Sequence, residues 1–454
     1  MSTKLEQFKR NIENKSVAVI GIGISNRPLI RYLCKLGACV TACDRRSREQ
    51  LGAVCGELEA LGVTLRLGEA YLEDLDAEII FKTPGMRFDE PALCRAREAG
   101  AIVTSEMEVF FDICPCKIIA VTGSDGKTTT TTLIHEMMKR AGYTTWLGGN
   151  IGNPLLTETE KMRSEDWVIL ELSSFQLHTM QKSPHIAVIT NISPNHLDMH
   201  KDYQEYIDAK KNIMLYQQKG DILVTNSGNK VTRQIGEDAK CQWRCFSTKS
   251  DALIYLEKDT IYYEDEPVLK IQDIKIPGMH NVENFMAAIG AVHGLVPGET
   301  VRQVAREFGG VPHRIELVRT LDGVRYYNSS IDSSPNRTMN TLRVFSERVI
   351  LIAGGKDKGI PYDDIGPAIT EHVKLLLLIG ATAGKIEEAL KKTPGGEQVE
   401  VLRLDNYPQV VETARRRAVP GDVVLLSPAS TSFDMFANFE ERGNLFKELV
   451  NGLS

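Results

Sequence analysis

A glycine-rich turn between an apolar run and a helical segment is the feature that most constrains this chain. The run 117–121 (KIIAV) predicts a buried parallel strand, and segment 131–138 (TTLIHEMM) predicts a helix. Between them lies TGSDGKTT, residues 122–129, called the phosphate loop below. A strand, a turn and a helix N-terminus form an anion site, because backbone N–H groups and the helix dipole face the ligand. The chain is therefore expected to contain a parallel sheet that binds nucleotide phosphates.

The loop departs from the general pattern G-x-x-x-x-G-K-[ST], because Val121 stands where the first glycine would fall. Lys127 is placed to reach the β- and γ-phosphates, and the Thr128 hydroxyl to hold Mg²⁺. The alternative is a glycine turn with a lysine in it by chance, and the flanking strand and helix disfavour it. We therefore expect ATP and Mg²⁺ as ligands. The predicted contacts are Gly123, Ser124, Asp125, Gly126, Lys127, Thr128 and Thr129.

The length and composition of the chain exclude several classes of protein. A chain of 454 residues corresponds to roughly two to four domains. A net charge of -6 argues against a general nucleic-acid binder. The polar N-terminus lacks a signal-peptide core, and the longest apolar run, 375–379, is too short to span a bilayer. The nine cysteines form no C-x-x-C pair, which disfavours a zinc site. We expect a cytoplasmic protein, a monomer, with no membrane or nucleic-acid partner.

The first part of the chain predicts a Rossmann-like start. A strand at 16–20 leads to Gly21 and Gly23, and a second strand at 39–43 ends at Asp44. Asn26 stands where the third glycine of the dinucleotide fingerprint would be, so the pattern is weak evidence for NAD. It favours a nucleotide diphosphate at the helix N-terminus, and a tight turn without ligand stays open.

The remaining strands complete an α/β protein with three domains. Strands are predicted at 167–170, 186–189 and 221–224, short antiparallel strands at 253–276, a hinge at 309–312, and a further parallel sheet after it. The predicted domains are a Rossmann-like domain (1–105), a central P-loop ATPase-like domain with a parallel sheet (106–310) and a C-terminal Rossmann-like domain (311–454).

Polar residues after strands supply candidate metal ligands. Glu171 follows a strand beside the phosphate loop and is placed to hold Mg²⁺; alone, it reads equally well as a helix cap or a surface residue. His196 lies in the loop 190–198, with Asn191 and Asp198, as a ligand of a second metal or as an ordinary loop histidine.

Four other residues lie at positions whose ordinary structural interpretation stays open. Lys210 lies on an amphipathic helix, where most lysines are solvated. Asn281 and Asn284 share one face at a helix start, where either would also serve as a cap. Arg314, at the hinge, is a candidate to stabilise charge on a γ-phosphate or else a surface arginine.

Together these segments resemble the Mur ligase family, the ATP-dependent amide-forming enzymes of peptidoglycan precursor synthesis. The likeness covers most of the chain, in the family's order. Its C-terminal segment 426–443 resembles the glutamate-binding segment of the D-glutamate-adding branch, and the D-N-P-R signature of the diamino-acid-adding branch is absent. The matching pieces are 122–129, ELSSFQL at 171–177, 191–198, GMHNVEN at 278–284 and PHR at 312–314.

The resemblance implies a role for each site residue. Glu171, His196 and Thr128 would hold two Mg²⁺ ions, Lys210 would be carbamylated into a metal-bridging carboxylate, and Asn281, Asn284 and Arg314 would contact ATP. Lys127, Glu171, His196, Lys210 and Arg314 would be the catalytic set. The substrates implied are UDP-N-acetylmuramoyl-L-alanine, at Ser25, Asn26, Asp44, Arg45, Gly85, Asn150 and His196, and D-glutamate, at Lys358, Ser432 and Phe439.

One segment departs from the family. Ser329 stands where the family often has an aspartate on the ATP ribose, and Asp332 is the carboxylate one turn on. Rival functions are a ligase of the same superfamily with another acceptor, such as a folylpolyglutamate synthase, an L-glutamate-specific variant, a silent nucleotide-binding regulator and an NAD-dependent oxidoreductase. The missing third glycine and the second phosphate site disfavour the oxidoreductase.

Overall fold

The computed structural model describes residues 3–23, 26–152, 154–194, 200–249, 251–357, 359 and 361–454. The chain divides into two compact units, Met1–Glu307 and Phe308–Ser454, called the first and second unit below. In the described ranges, no helix has both the length and the apolar character that a membrane crossing needs.

The first unit begins with a five-stranded parallel sheet in the order β3-β2-β1-β4-β5. The strand order reverses at β1, which is where doubly wound sheets bind ligands. The predicted Rossmann-like start is confirmed. Its elements are α1 (Thr3–Ile12), β1 (Ser16–Ile20), α2 (Asn26–Lys35), β2 (Cys39–Asp44), α3 (Arg48–Leu51), α4 (Ala53–Glu59), β3 (Thr64–Leu67), β4 (Ile79–Phe81), α5 (Pro91–Glu98), β5 (Ile102–Thr104) and α6 (Glu106–Ile113).

A second sheet of nine strands follows, in the order β14-β13-β12-β11-β10-β9-β6-β8-β7. The strand that leads into the phosphate loop, β6, lies between β9 and β8 and is parallel to both. The elements up to β10 are β6 (Lys117–Thr122), α7 (Lys127–Arg140), β7 (Thr145–Gly149), a 3-10 helix (Leu156–Lys161), β8 (Trp167–Glu171), α8 (Ser174–Leu177), β9 (Ile186–Ile189), α9 (Tyr203–Leu215) and β10 (Ile222–Asn226).

The far edge of this sheet is a short antiparallel meander, as predicted, although β12 itself pairs parallel with β11. Two helices then close the unit. The elements are α10 (Lys230–Glu237), β11 (Gln242–Ser247), β12 (Ile254–Glu257), β13 (Thr260–Tyr263), β14 (Glu266–Lys270), a 3-10 helix (Ile271–Asp273), α11 (Met279–Val292) and α12 (Gly298–Glu307).

The two sheets of the first unit share one hydrophobic core. Val17 and Val19 of β1 belong to the same cluster of buried side chains as Phe110 of α6 and Leu170 of β8. Burial of apolar surface is the main favourable term in folding. A common core therefore fixes the nucleotide turn of the first sheet relative to the phosphate loop of the second.

The second unit holds a six-stranded sheet in the order β15-β16-β20-β17-β18-β19, parallel except for the β15–β16 pair. The parallel sheet predicted after the hinge is confirmed. The elements are β15 (Glu316–Leu321), β16 (Val324–Asn328), α13 (Pro335–Leu342), β17 (Val349–Ala353), α14 (Ile365–His372), β18 (Val373–Leu378), α15 (Ala383–Lys391), a 3-10 helix (Gly396–Gln398), β19 (Glu400–Arg403), α16 (Tyr407–Arg417), β20 (Val423–Leu426) and α17 (Phe439–Asn451).

A fully buried arginine ties α17 to the sheet of the second unit. Arg442 is 0% exposed, and its guanidinium donates to Ser330 Oγ at 2.9 Å, Ser330 O at 2.8 Å and Ser430 O at 3.1 Å. The pairing of Arg442 with Ser330 had no local signal in the sequence, because it spans 112 positions of the chain, whereas Ser430 is 12 positions from Arg442.

We predict that Arg442→Met lowers the free energy of unfolding by about 3 kcal/mol, because two buried carbonyl groups lose their charged donor. The matched control is Arg416→Met, an exposed arginine on α16 of the same unit, which we expect to change it by less than about 0.5 kcal/mol. Urea unfolding of both variants measures this. Equal stabilities for the two variants would contradict the structural role of Arg442.

Candidate functional site

The phosphate loop closes around the side chain of its own lysine. Gly126 has a φ of +76° and caps α7, which begins at Lys127 within the phosphate loop, four residues earlier than the predicted helix. The Lys127 ammonium donates to Gly123 O at 3.0 Å and to Ser124 O at 2.9 Å. The predicted strand, turn and helix are therefore present, with a cation inside the turn.

Residues that follow β9 hold the backbone of the phosphate loop through hydrogen bonds. The Asp125 N–H donates to Asn191 Oδ1 at 3.0 Å, and the Ser124 N–H donates to Asn191 O at 2.8 Å. Thr190 Oγ donates to Asp125 O at 2.6 Å. Thr190 was not among the predicted site residues, although adjacent parallel strands end at the same sheet edge and could have indicated it.

Helix α9 also reaches the phosphate loop, through a tyrosine that sequence reasoning missed. Ser124 Oγ lies 3.0 Å from Tyr206 OH and donates to Ser193 O at 3.0 Å. Tyr206 is four residues before Lys210 and so lies on the same helix face, which was the available signal. The loop thus has hydrogen bonds to two neighbouring elements.

Glu171 is the last residue of β8 and is 2% exposed. Its Oε1 accepts a 2.7 Å hydrogen bond from Asn150 Nδ2, whereas its Oε2 is buried and has no hydrogen-bond partner among the described residues. A buried carboxylate oxygen without a partner costs free energy unless a cation meets it. This geometry fits a metal ligand and disfavours the surface and cap interpretations.

The backbone at the end of β7 is in close contact with the backbone of Glu171. Gly149 has a φ of +95°, and a Cβ there would lie 2.2 Å from Glu171 O. The next residue, Asn150, donates its N–H to the same carbonyl at 2.7 Å. Asn150, predicted to contact the substrate, therefore also positions the Glu171 carboxylate.

Lys210 is buried beside the phosphate loop, against the general expectation for a helix lysine. Its Nζ donates to Gly123 O at 2.8 Å and lies 4.7 Å from the centre of the Tyr206 ring. Burial lowers the pKa of this ammonium well below its usual value, and the charge of Lys127 lowers it further. The amine therefore loses its proton more readily than a solvated lysine does.

The described residues include a second group with metal-ligand side chains, namely His178, His200 and Glu205, whose ligand atoms lie within 4.8 Å of one another. Arg87 donates to both Glu205 carboxylate oxygens, at 3.0 and 3.2 Å. A guanidinium already neutralises this carboxylate, so the group is poorly suited to a divalent cation. The predicted ligand His196 lies outside the described residues, as does Asp198.

Asn284 contacts the phosphate loop from α11. It is buried, a Cβ at Gly126 would lie 2.2 Å from its Oδ1, and Thr130 Oγ donates to that oxygen at 3.3 Å. Asn281 accepts a 3.1 Å hydrogen bond from Asn284 Nδ2 and lies behind it. The residue that caps α11 is Gly278, so neither asparagine is the N-cap.

In the first sheet, the Asp44 carboxylate is bound by Arg46, a residue that was not among the predicted site residues. It accepts from the Ile22 N–H at 2.7 Å and from two guanidinium nitrogens of Arg46. Burial raises the pKa of Asp44, but these hydrogen bonds outweigh it and lower the pKa to about 2. Asn26 donates to the carbonyls of Ile20 and Gly21, both at 3.0 Å, so it holds the turn as well as the helix start.

Of the other residues predicted for this sheet, Gly85 lies in the turn after β4, and Arg45 is exposed at the end of β2. Ser25 lies outside the described residues. The nucleotide site predicted here therefore has a fixed turn, a buried ionised carboxylate and an exposed arginine at one sheet edge.

In the second unit, Arg314 is exposed near the start of the unit. Ser432 is buried, and Phe439 begins α17 and accepts a 2.8 Å hydrogen bond from Ser330 Oγ at its carbonyl. Asp332 Oδ2 accepts hydrogen bonds from the hydroxyl groups of Ser427 and Thr341, both at 2.8 Å, so this carboxylate oxygen stabilises the second unit itself. Lys358 lies outside the described residues.

Comparisons with known proteins match the chain along its length. Three family models match: the Mur ligase MurD-like N-terminal domain at 15–105, the Mur ligase middle domain at 121–292 and the Mur ligase glutamate ligase domain at 313–430. The chain belongs to the Mur ligase family. Mur ligases are ATP-dependent ligases of peptidoglycan synthesis, so the enzyme class expected from the sequence is confirmed.

Curated relatives are similar over the full length of both chains. UDP-N-acetylmuramoylalanine–D-glutamate ligases of Acetivibrio thermocellus and Clostridium kluyveri are 53% and 51% identical, each covering 100% of both sequences. Among solved structures, the UDP-N-acetylmuramate-alanine ligase of Thermotoga maritima has a TM-score of 0.57 at 19% identity, covering 96% of this chain and 99% of that one.

A second solved Mur ligase, MurF of Thermotoga maritima in complex with ADP, has a TM-score of 0.51 at 15% identity, covering 98% of this chain and 96% of that one. At these identities the structural likeness concerns the fold. It confirms the three-domain α/β architecture expected from the sequence.

We predict that Gly149→Ala lowers ATP turnover by at least about tenfold, because the added Cβ displaces the backbone of Glu171. The matched control is Gly142→Ala in the same unit. Its φ of +93° imposes the same backbone strain, and no atom lies within 4 Å of the added Cβ. Turnover and melting temperature are measured for both. Equal losses of turnover would show that strain alone, and not Glu171, is responsible.

Proposed function

We propose that this chain is an ATP-dependent ligase that joins D-glutamate to UDP-N-acetylmuramoyl-L-alanine in the cytoplasmic part of peptidoglycan precursor synthesis. The observation that carries the proposal is the 53% identity, over all of both chains, to a ligase named for this reaction. Relatives named for D-glutamate favour it over the alternatives with another acceptor or with L-glutamate. We further propose that it acts as a monomer.

The chemistry must overcome the low reactivity of a carboxylate, whose negative charge repels nucleophiles. In the proposed reaction, the L-alanyl carboxylate attacks the γ-phosphorus of ATP, forming an acyl phosphate and releasing ADP. The D-glutamate amine attacks the acyl carbon, a proton leaves the nitrogen, and the tetrahedral intermediate expels phosphate as the amide forms. Lys127 and Arg314 would offset the negative charge that develops on the phosphoryl oxygens.

The residues present fit Mg²⁺, because the unpartnered Oε2 of Glu171 is an oxygen ligand of the kind this cation prefers. Thr128, Glu171, His196 and Lys210 would hold two ions. When bound, Mg²⁺ supplies charge stabilisation for the phosphates. The chain's own contribution is to fix the ligand: Asn150 holds one carboxylate oxygen of Glu171, and the other is buried without a hydrogen-bond partner among the described residues.

We propose that Lys210 carries a carbamate. The neutral amine attacks CO₂, its nitrogen loses a proton, and a carboxylate forms at a position that was cationic. The buried position of Lys210 supports this, because it lowers the amine pKa and so raises the neutral fraction near pH 7. The negative product would also remove the repulsion between Lys210 and Lys127.

The three domains would each bind one substrate. UDP-N-acetylmuramoyl-L-alanine would lie at the first sheet, with Ser25, Asn26, Asp44, Arg45 and Gly85. ATP would lie at the phosphate loop with Asn281 and Asn284, and D-glutamate would contact Lys358, Ser432 and Phe439. We propose the domain limits 1–105, 106–310 and 311–454.

Carbamylation is tested by incubating the protein with ¹³C-bicarbonate and recording ¹³C NMR. We predict a carbamate signal in the wild type and in Lys211→Arg, and none in Lys210→Arg. Lys211 is the matched control because it is the next residue and pairs with Asp238 on the surface. A signal that persists in Lys210→Arg would place the modification elsewhere.

The function itself is tested by phosphate release from Mg·ATP with UDP-N-acetylmuramoyl-L-alanine and, in turn, D-glutamate, L-glutamate or L-alanine. We predict release that depends on D-glutamate, and a fall of at least about a hundredfold in Lys127→Ala, because the loop loses its cation. Lys139→Ala, an exposed lysine on the same helix, is the control. Release that depends on another amine, or none with any of them, would overturn the proposed substrate.

A further inference from the structure

A continuous series of contacts joins the turn after β4, in the first sheet, to the phosphate loop of the second sheet. We propose that Glu205, held by Arg87 and flanked by His200, is a positioning residue that couples binding of the sugar nucleotide to binding of ATP. The proposal rests on the proposed function, because it concerns that reaction's two nucleotide substrates.

The series begins at the nucleotide turn of the first sheet. Thr83 opens the turn and packs on Gly21, where a Cβ would lie 3.3 Å from the Thr83 Cβ. The Met86 N–H donates to Thr83 O at 3.1 Å, and Arg87 follows directly. Any displacement of the turn by a bound sugar nucleotide is therefore transmitted to Arg87.

Arg87 makes a bidentate contact with Glu205 of α9, a helix that follows a strand of the second sheet. Its terminal nitrogens donate to Glu205 Oε1 at 3.0 Å and to Oε2 at 3.2 Å, and its Nε donates to Asp89 Oδ1 at 2.8 Å. Asp89 in turn pairs with Lys201 at 3.1 Å. The Glu205 side chain is 15% exposed, so solvent screens this pair less than a surface ion pair. The planar fork fixes the orientation of Glu205 at the start of α9.

His200 extends the contact to the ATP side. It is buried, its Nδ1 lies 3.5 Å from Glu205 Oε2, and its Nε2 lies 3.0 Å from Ser174 Oγ. Ser174 begins α8, three residues after Glu171. The imidazole is stacked on Phe175, with ring centres 5.2 Å apart. Glu205 and His200 therefore pack together against the segment that follows the candidate metal ligand.

The last step leads to the phosphate loop. Tyr206, next to Glu205 on α9, lies edge-on to His200 with ring centres 5.3 Å apart, and its hydroxyl lies 3.0 Å from Ser124 Oγ. The Lys210 ammonium lies over the same tyrosine ring. A shift of Glu205 moves Tyr206, and with it the phosphate loop and Lys210. The two ends of the series are the two nucleotide sites.

The experiment measures the Kd of Mg·AMP-PNP with and without saturating UDP-N-acetylmuramoyl-L-alanine, by calorimetry, on the full chain. The ratio of the two values is the coupling factor, for which couplings between sites are typically about 5- to 150-fold. We expect a factor of at least about fivefold in the wild type, and a factor near one in Glu205→Gln.

The matched control is Glu160→Gln. Glu160 pairs with Lys9 at 2.8 Å and so also joins a helix of the first sheet's domain to the second. Glu160 lies in the 3-10 helix Leu156–Lys161, and its ion-pair partner Lys9 lies on α1. A merely structural bridge would make the two variants alike in melting temperature and coupling. We expect Glu160→Gln to keep the wild-type coupling factor.

The outcomes separate the coupling from the proposed function. A wild type that releases phosphate with D-glutamate but shows no coupling, or keeps it in Glu205→Gln, or loses it equally in Glu160→Gln, would overturn the coupling and leave the function standing. A wild type that does not bind UDP-N-acetylmuramoyl-L-alanine would overturn both. If Glu205→Gln does not fold, Arg87→Lys, which keeps the charge and loses the fork, is expected to reduce the coupling in the same way.

Discussion

Two ammonium groups share one carbonyl oxygen, and the ATP site depends on that arrangement. Gly123 O accepts from Lys127 at 3.0 Å and from Lys210 at 2.8 Å. Two cations this close repel each other, and burial removes the water that would screen them. The arrangement is relieved by phosphate anions in the loop or by loss of a proton from Lys210. The two lysines therefore favour binding of negative charge where ATP is expected. Lys210 is the lysine whose charge can change, because its pKa is lowered.

The strands that surround β6 position this charge. Because β7, β8, β6 and β9 are parallel neighbours, their carboxyl ends deliver Asn150, Glu171, the phosphate loop and Asn191 to one sheet edge. Close backbone approach is needed there, and Gly149 allows it where any Cβ would meet Glu171 O. The result is a carboxylate with one oxygen fixed by Asn150 and the other unpartnered among the described residues. Helix α9 then brings Tyr206 and Lys210 into contact with the phosphate loop.

Features that depend on short stretches of the sequence could be predicted, and contacts between residues far apart in the chain could not. The phosphate loop, the strand ends and the three parallel-sheet blocks depend on short patterns, and those were correct, including Glu171 at the end of a strand. The burial of Lys210 had no local signal, since helical periodicity alone favours a solvated lysine. Tyr206, Thr190 and the Arg87–Glu205 pair were missed because each contact joins residues 65 to 118 positions apart. The contact of Arg46 with Asp44 was not predicted, because spacing does not show which side chain turns back onto that carboxylate.

The measurement that tests this account most directly is the Mg²⁺ dependence of ATP binding in the wild type and in Glu171→Gln. The substitution keeps the size of the side chain and the Oε1 contact to Asn150, and removes the charge from the oxygen that has no partner. If Glu171 is a metal ligand, Mg²⁺ tightens ATP binding in the wild type and has little effect in the variant, while binding without Mg²⁺ stays similar in both. An equal Mg²⁺ effect in the two proteins would contradict the account, because the unpartnered oxygen would then not meet a cation.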